Sequence, residues 1–399
     1  MNGKMVRIGC VIRRAFRRVF LLKALIKTFK QLTYKQIIFY ILLLLSVVGS
    51  LVFVYNNYAF YDRPIAKVIE SQTEETTNVT DQYGNEDTMT IQNITAELKN
   101  GEQKKEHIQL KNEYSITGAY DQPLETGNEL FVSIDKDSVG EKQLTGSITD
   151  IKRDKYIVVT AWIFILVLLL VGKRQGLFAS VSLAINLIIL SYALDLNVKT
   201  GMNLLWIAAV TVILFTVISL LLVNGFNEKT YAAILATLLG TFSSLLITYI
   251  AMTLTSDTGL HYEEMQFLTR PYRLVFLAGL FIGSLGAVMD VAITMSSAIF
   301  ELYEKDHHIS VKALKTSALD IGKDIMGTMT NILFFAYISG SMPMLILYLK
   351  NYSPLGFTLS MNLSLELARA LAGGIGIVLT IPIGLYISIF FVNRKRAKL

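Results

Sequence analysis

The stretch that decides the fold is GLFIGSLGAVMDVAITMSSAIFEL, residues 279–302, an apolar run with one acid, Asp290, near its middle. A helix crosses the hydrocarbon core of a bilayer with about 20 predominantly apolar residues. The stretch therefore predicts a membrane-spanning helix with a carboxyl group deep in the bilayer. A charged side chain there costs about 2.5–3.5 kcal/mol on insertion scales, which indicates a functional role for Asp290.

The composition of the whole chain agrees with a membrane protein. Of its 399 residues, 53% are hydrophobic and 17% are charged, whereas about a quarter of the residues in soluble domains are charged. The apolar residues form eight runs of membrane-spanning length. They predict an α-helical polytopic membrane protein with about eight transmembrane helices, at residues 37–56, 156–172, 176–194, 203–224, 230–254, 273–299, 326–349 and 369–392.

Basic residues predict the orientation of the chain. Residues 1–36 contain ten basic and no acidic residues, and the tail 393–399 contains NRKRAK. Short cytoplasmic segments are enriched in Lys and Arg, so both termini are predicted to be cytoplasmic. The basic N-terminal arm, residues 1–36, precedes the anchor helix 37–56. We expect the arm to contact anionic lipid, and no nucleic acid.

Residues 57–155, between the first two spans, are predicted to form a small external β-rich domain inserted after the first helix. Apolar and polar residues alternate in the runs 88–98, 107–114, 130–134 and 144–151, with turn residues between them. About five short strands in such a length predict a β-barrel or a sandwich. The domain is either a solvated cap or a module that binds a ligand or a partner.

The remaining residues, 156–392, are predicted to form a seven-helix membrane domain. Its segment 310–325 is predicted to be an amphipathic helix on the cytoplasmic membrane surface. The apolar residues of that segment share one helical face and are Val311, Leu314, Ala318, Ile321 and Ile325.

Small and polar residues mark one face of the sixth span. The face comprises Gly279, Gly283, Gly286, Asp290, Thr294 and Ser297, at spacings of three and four residues. Small residues let helices approach closely in lipid, so this face is predicted to pack against protein. The predicted packing residues are Gly279, Gly283 and Gly286, together with Gly373 and Gly376 of the last span.

Asp290 is the predicted proton- or cation-binding residue, because close packing alone does not require a carboxylate. Its predicted hydrogen-bond partners or pathway residues are Thr294, Thr330, Asn331, Ser339 and Ser341. Pro343 lacks a backbone N–H, so the seventh span is predicted to be broken near residues 339–343. A broken helix at membrane depth is tolerated where it lines a cavity.

Two motifs carry a resemblance to a known family. The segments GAVMDVA, residues 286–292, and GKDIMGTMTN, residues 322–331, resemble the signature region of the YibE/F-like bacterial membrane proteins. The resemblance covers residues 156–392 and implies a multi-pass protein of the bacterial plasma membrane, but no established activity. A weaker architectural likeness to the SecF and RND transporter helices adds modest support for proton coupling. The chain departs from that pattern in having two additional spans and only one mid-membrane acid.

These observations favour a transporter or permease for a small solute or ion that the sequence does not identify. The alternative is an accessory or sensory envelope protein whose external domain binds a partner. An enzyme is not predicted, because no second mid-membrane acid and no hydrolase motif is present. No metal site or cofactor is predicted, since Cys10 is the single cysteine and no Cys-rich site can form. A homo-oligomer or a protein partner is left open.

Overall fold

The computed structural model describes residues 33–118, 121–135, 144–265 and 271–397. The predicted lipid contacts of the N-terminal arm concern residues that lie almost entirely outside these ranges. The chain divides into two compact units. The first comprises Met1–Thr80 and Glu86–Phe164, and the second comprises Asp81–Asn85 and Ile165–Leu399.

Within the described ranges, seven helices are long and apolar enough to cross a membrane. This finding, by length and composition, indicates a multi-pass membrane protein. In chain order the helices are α1 (Tyr34–Asn56), α2 (Asp154–Thr200), α3 (Leu204–Asn224), α4 (Glu228–Leu254), α5 (Tyr272–Lys305), α6 (Val311–Lys350) and α7 (Leu355–Arg396).

Helix α2 contains two of the eight predicted spans. Its backbone leaves the helical region at Lys173, where φ is 47° and ψ is −117°. A Cβ atom on Gly176 would collide with the carbonyl group of Leu168. Residues eight apart in a straight helix are separated by about 12 Å along its axis. The chain therefore turns sharply at this break.

The first unit contains a five-stranded barrel. Its strands are β1 (Ile65–Thr80), β2 (Glu86–Leu98), β3 (His107–Ser115), β4 (Glu129–Ile134) and β5 (Leu144–Ile151). They close in the order β1-β2-β3-β5-β4, and β3 and β5 are parallel. The strand order is that of a Greek-key barrel of the OB type. The predicted small β-rich domain after the first helix is confirmed.

The interior of the barrel follows the period-two pattern of its strands. Side chains at alternate positions of β2, including Ile94, Ala96 and Leu98, are fully buried. They pack against Ile108 of β3 and Leu130 of β4, among others, in one apolar cluster. Alternation of this kind places one face of each strand in the core, so the same residues set the register of the barrel.

The second unit is held together by close contacts among α4, α5 and α7. The hydroxyl of Ser244 on α4 donates a 2.6 Å hydrogen bond to the carbonyl of Ala372 on α7, and Ser388 of α7 lies 3.0 Å from Ser296 of α5. A Cβ on Gly376 would lie 2.9 Å from Cγ2 of Val288, and one on Gly373 would lie 2.8 Å from Cδ1 of Leu333. These glycines therefore allow the helices to approach closely.

A prediction follows for these glycines. Gly376→Val should destabilise the helical unit by about 1–3 kcal/mol, because added atoms overpack a filled contact. Gly286→Val is the matched control, since no atom lies within 4 Å of its Cβ position. The measurement is the thermal unfolding midpoint of each variant in the same detergent. Equal shifts for the two variants would show that the contact at Gly376 is not tight.

Helix α6 differs from the prediction of a separate surface helix. The segment 310–325 and the seventh span form one continuous helix, Val311–Lys350. Leu314 and Ala318 are fully buried in the protein, in a cluster with residues of α5 and α7. A Cβ on Gly322 would lie 2.5 Å from Cγ2 of Ile381. The apolar stripe was predicted from its period, and two of its five residues are fully buried against neighbouring helices, whereas its predicted contact with a membrane surface stays a prediction.

The predicted break near Pro343 is also not found. Helical structure continues through Pro343 to Lys350. A proline removes one backbone hydrogen bond, and transmembrane helices tolerate this loss when other groups satisfy the freed carbonyl. Helix α7 likewise extends beyond its predicted start at residue 369, beginning at Leu355.

Candidate functional site

Helix α5 is covered by other helices on every face but one. Phe276, Phe281, Val288 and Met295 are among its fully buried residues. The open face is the predicted stripe: Gly279, Gly283, Gly286 and Asp290 are exposed, and Thr294 and Ser297 are half-buried. Among the described residues this face meets Tyr337 at Gly283, and the prediction that its whole length packs against protein stays a prediction. No atom lies within 4 Å of the Cβ positions of Gly279 and Gly286.

The walls beside the stripe come from different helices. On one side Ala287 packs against the apolar cluster that Met326 and Met329 of α6 also contact. On the other side Ile282 and Met289 pack against an apolar cluster that includes Val212 of α3. Successive residues of a helix are 100° apart, so these contacts flank the stripe on both sides. The glycines and Asp290 thus form the floor of a groove between α3 and α6.

Asp290 lies in this groove without a polar partner among the described residues: none of them forms a hydrogen bond or an ion pair with its carboxylate. The hydroxyl of Thr330 donates to the carbonyl of Met326 at 2.8 Å, and its methyl group faces Gly374 of α7. Asn331 is exposed. The structure therefore does not join Asp290 to Thr330 or Asn331, which were its predicted partners.

The remaining predicted pathway residues are dispersed. Thr294 follows Asp290 by one turn on the same face. Ser339 of α6 donates to the carbonyl of Ala336 at 2.8 Å and is exposed, and Ser341 is half-buried. Of the predicted set, Thr294 is the residue that shares the open face of α5 with Asp290.

Tyr337 of α6 belongs to the groove and was not predicted. A Cβ on Gly283 would lie 2.5 Å from the Tyr337 hydroxyl, so only glycine leaves room for this group. The hydroxyl is buried and has no hydrogen-bond partner among the described residues. Gly283 precedes Asp290 by seven residues, or about 10 Å along the helix. Tyr337 therefore packs against α5 at Gly283, about two turns from Asp290.

An ion pair lies on α7. Arg369 donates to Glu366 three residues earlier, and both side chains are about one-fifth exposed. The Arg369 guanidinium also stacks over the ring of Phe276 on α5, 5.2 Å from its centre. A paired guanidinium on an aromatic face is a stable arrangement at partial burial.

A second polar cluster lies in the first unit, where the barrel meets α1 and α2. Lys152 is its centre and is 1% exposed. Its ammonium group lies 3.1 Å from Glu129 and 2.9 Å from Asp154. Burial lowers the pKa of Lys152, but hydrogen bonds to Asp154 and Glu129 outweigh it and raise the pKa above its usual value. Lys152 is therefore charged at neutral pH.

The two chain connections of the barrel supply the other members of this cluster. Asn57 and Tyr61, after α1, both donate to the carboxylate of Asp154, at 2.9 and 3.0 Å. Tyr58 donates to Glu129 at 2.8 Å. We call these six residues the joint: Asn57, Tyr58, Tyr61, Glu129, Lys152 and Asp154. The joint ties both connections of the barrel to one buried ammonium group.

Two family matches account for most of the chain. The YibE/F-like protein family matches residues 160–394, and the YibE/F family N-terminal domain matches residues 59–151. The first match alone covers more than half of the chain. The chain belongs to the YibE/F-like family. The resemblance seen in the sequence is thus confirmed. No curated protein and no solved structure matches the chain.

The two YibE/F matches correspond to the structural features described above. The N-terminal domain match contains all five strands of the barrel and Glu129 of the joint. The longer match contains Asp290, Tyr337 and the Glu366–Arg369 pair. Neither match names an activity. Among the described residues, no group of three or more His, Cys, Asp or Glu side chains is placed to hold a metal ion.

Proposed function

We propose that this YibE/F-like protein is a transporter or permease of the bacterial plasma membrane, in which Asp290 binds a proton or a cation. The observation that carries the proposal is the open groove over the glycine stripe of α5. Every other face of that helix is covered, and the exposed face leads along Gly279, Gly283 and Gly286 to a carboxylate.

The chemistry of the groove suits a small cation. A glycine floor has no side chains to obstruct passage, and it exposes backbone to whatever occupies the groove. An acid in a membrane segment marks ion and proton pathways in many membrane proteins. The Tyr337 hydroxyl can donate or accept a hydrogen bond. This hydroxyl is buried beside Gly283, about two turns before Asp290, and Thr294 places a second hydroxyl one turn beyond Asp290 on the open face.

The topology in this proposal has eight spans. The break at Lys173 divides α2 into two segments of spanning length, and the other six helices cross once. An even number of spans places both basic termini on one side, which the distribution of Lys and Arg assigns to the cytoplasm. The substrate would be a small solute or ion, and no catalytic residue is assigned.

The proposal predicts that water reaches the stripe. In a Cys10→Ser background, Gly286→Cys should react with a membrane-impermeant, charged thiol reagent, because the reagent attacks a hydrated thiolate. Leu239→Cys on α4 is the control. Leu239 is also exposed on the protein, at 52%, but it would face lipid. The measurement is the labelling rate of each variant in proteoliposomes.

Labelling of the Gly286→Cys variant and not of the Leu239→Cys variant supports a hydrated path to Asp290. If neither cysteine reacts, the groove is filled by lipid or by another helix, and the proposal loses its main support.

The alternative function is an accessory or sensory protein whose barrel binds a partner. One observation favours it. Strand β1 pairs with β4 only through Ile65, Ala66 and Lys67, whereas its pairing with β2 continues to Thr80. The outer edge of β1 beyond Glu70 therefore has no strand beside it in the described part of the chain. A partner strand can add to such an edge through backbone hydrogen bonds.

A further inference from the structure

A polar cleft lies on the first unit, beside the joint. Its volume is about 350 Å³. The cleft lies between the segment that precedes β4 and the beginning of α2. Two of its wall residues, Glu129 and Lys152, are at least 96% buried, so part of the wall is fixed by the joint. The charged and aromatic lining residues are Glu125, Glu129, Lys152, Arg153, Lys155 and Tyr156.

Two cations line this cleft, and the ammonium group of Lys155 lies 5.2 Å from the centre of the Tyr156 ring. Arg153 and Lys155 flank Asp154 in the chain. The carboxylate of Asp154 already contacts Lys152 and Tyr61 of the joint. Within the described ranges, neither Arg153 nor Lys155 forms an ion pair with an acid. Lys152 is already neutralised by Glu129. The cleft therefore offers two uncompensated positive charges, with the exposed acid Glu125 at its rim.

The position of the cleft relative to α1 and α2 points to the surface of a membrane. The two helices lie side by side here, because Asn57 bonds to Asp154 and the indole N–H of Trp162 donates to Ser50 at 2.7 Å. Two exposed tyrosines lie near these helix ends, Tyr55 at 52% and Tyr156 at 57% exposure. Tyrosine and tryptophan side chains concentrate at the level of lipid headgroups.

We propose that this cleft binds the phosphodiester headgroup of a membrane phospholipid. Arg153 supplies a planar fork that fits two phosphate oxygens, and Lys155 supplies a second positive charge. The amide side chains of Gln122 and Asn128 line the same cleft and can bond to the rest of the headgroup. Glu125 would repel a second negative charge, which favours a singly charged phosphodiester over a phosphomonoester. The inference rests on α1 and α2 crossing a membrane and not on transport.

The test is native mass spectrometry of the full chain in detergent, titrated with phosphatidylglycerol. The double variant Arg153→Gln, Lys155→Gln should bind the first lipid about tenfold more weakly or worse, because two charge-assisted contacts are lost. The control is Lys173→Gln, Arg174→Gln, which removes the same charge from the break in α2. Glycerophosphoglycerol, the headgroup without acyl chains, is added as a competitor in a separate arm.

The proposal expects tight lipid binding in the wild type and the control, its loss in the double variant, and no competition by the soluble headgroup. Equal loss of lipid binding in the double variant and in the control would show that binding depends on general electrostatic attraction and not on this cleft. Competition by glycerophosphoglycerol would assign the cleft to a soluble phosphate ester, and unchanged binding in the double variant would remove the site. If the double variant misfolds, lipid binding is measured with the single Arg153→Gln variant, which should fold because Arg153 is exposed. Unchanged binding in that variant would likewise remove the site.

Discussion

Lys152→Met should lower the free energy of unfolding of the barrel by about 3–5 kcal/mol, since removing one partner of a buried ion pair leaves an uncompensated charge. Glu129 and Asp154 would lose the ammonium group that now lies about 3 Å from each of them. Methionine has a side chain of similar length, so the lost free energy of unfolding reflects the removed charge more than a change in side-chain volume. Hydrogen exchange of the β4 and β5 amides in the full chain reports this opening free energy.

Two further variants make the result specific to the joint. Lys155→Met changes the same residue type three positions later, at a partly exposed site without an acidic partner in the described region, and should cost about 0.5 kcal/mol or less. Adding Glu129→Gln to Lys152→Met should restore part of the lost stability, because it removes one of the two carboxylates that no longer have a cationic partner. Equal exchange in the wild type and the Lys152→Met variant would show that the joint contributes no net stability.

The pH dependence of this contribution follows from the raised pKa of Lys152. A raised pKa in a lysine means that the stabilisation is fully present below the unfolded value of about 10.4 and is lost as the pH rises through the folded value. The ammonium group should therefore contribute its full stabilisation throughout the neutral range.

The sequence predicted those strands in which residues alternate strictly. The runs at 88–98, 107–114, 130–134 and 144–151 match β2 to β5 within two residues. Strand β1 was missed because only its first residues alternate. Beyond Val68 it is a polar strand, mostly exposed, that pairs with β2 through its backbone. Backbone pairing of this kind leaves no period in the side chains.

The sequence was less informative about which surface each helical face meets. The period of Leu314 and Ala318 defined an apolar face, but a buried helix and a membrane-surface helix share that period. The same holds for the glycine stripe of α5, where spacing predicted one face and packing left that face open. Tyr337 and Lys152 were missed because their roles depend on Gly283 and Glu129, which are distant in the chain.

Asp290→Asn is the second substitution with a large expected effect. Asparagine keeps the shape and hydrogen-bonding capacity of the side chain but cannot bind and release a proton. Asp290 is exposed in the groove and has no ion-pair partner among the described residues. The variant should therefore insert, fold and keep its unfolding midpoint. Its proton-coupled flux should fall by a factor of about ten or more. Asp290→Glu should retain part of the flux, because it keeps an ionisable carboxyl group.

The most direct test of this account is proton flux in proteoliposomes. Wild-type protein and the Asp290→Asn variant are reconstituted at equal density, a pH-sensitive dye is enclosed, and a pH gradient and a membrane potential are imposed. The wild type should carry protons above the rate of empty liposomes, and the Asp290→Asn variant should not. Equal flux through the two proteins, above that of empty liposomes, would contradict the role of Asp290 as the proton-binding residue.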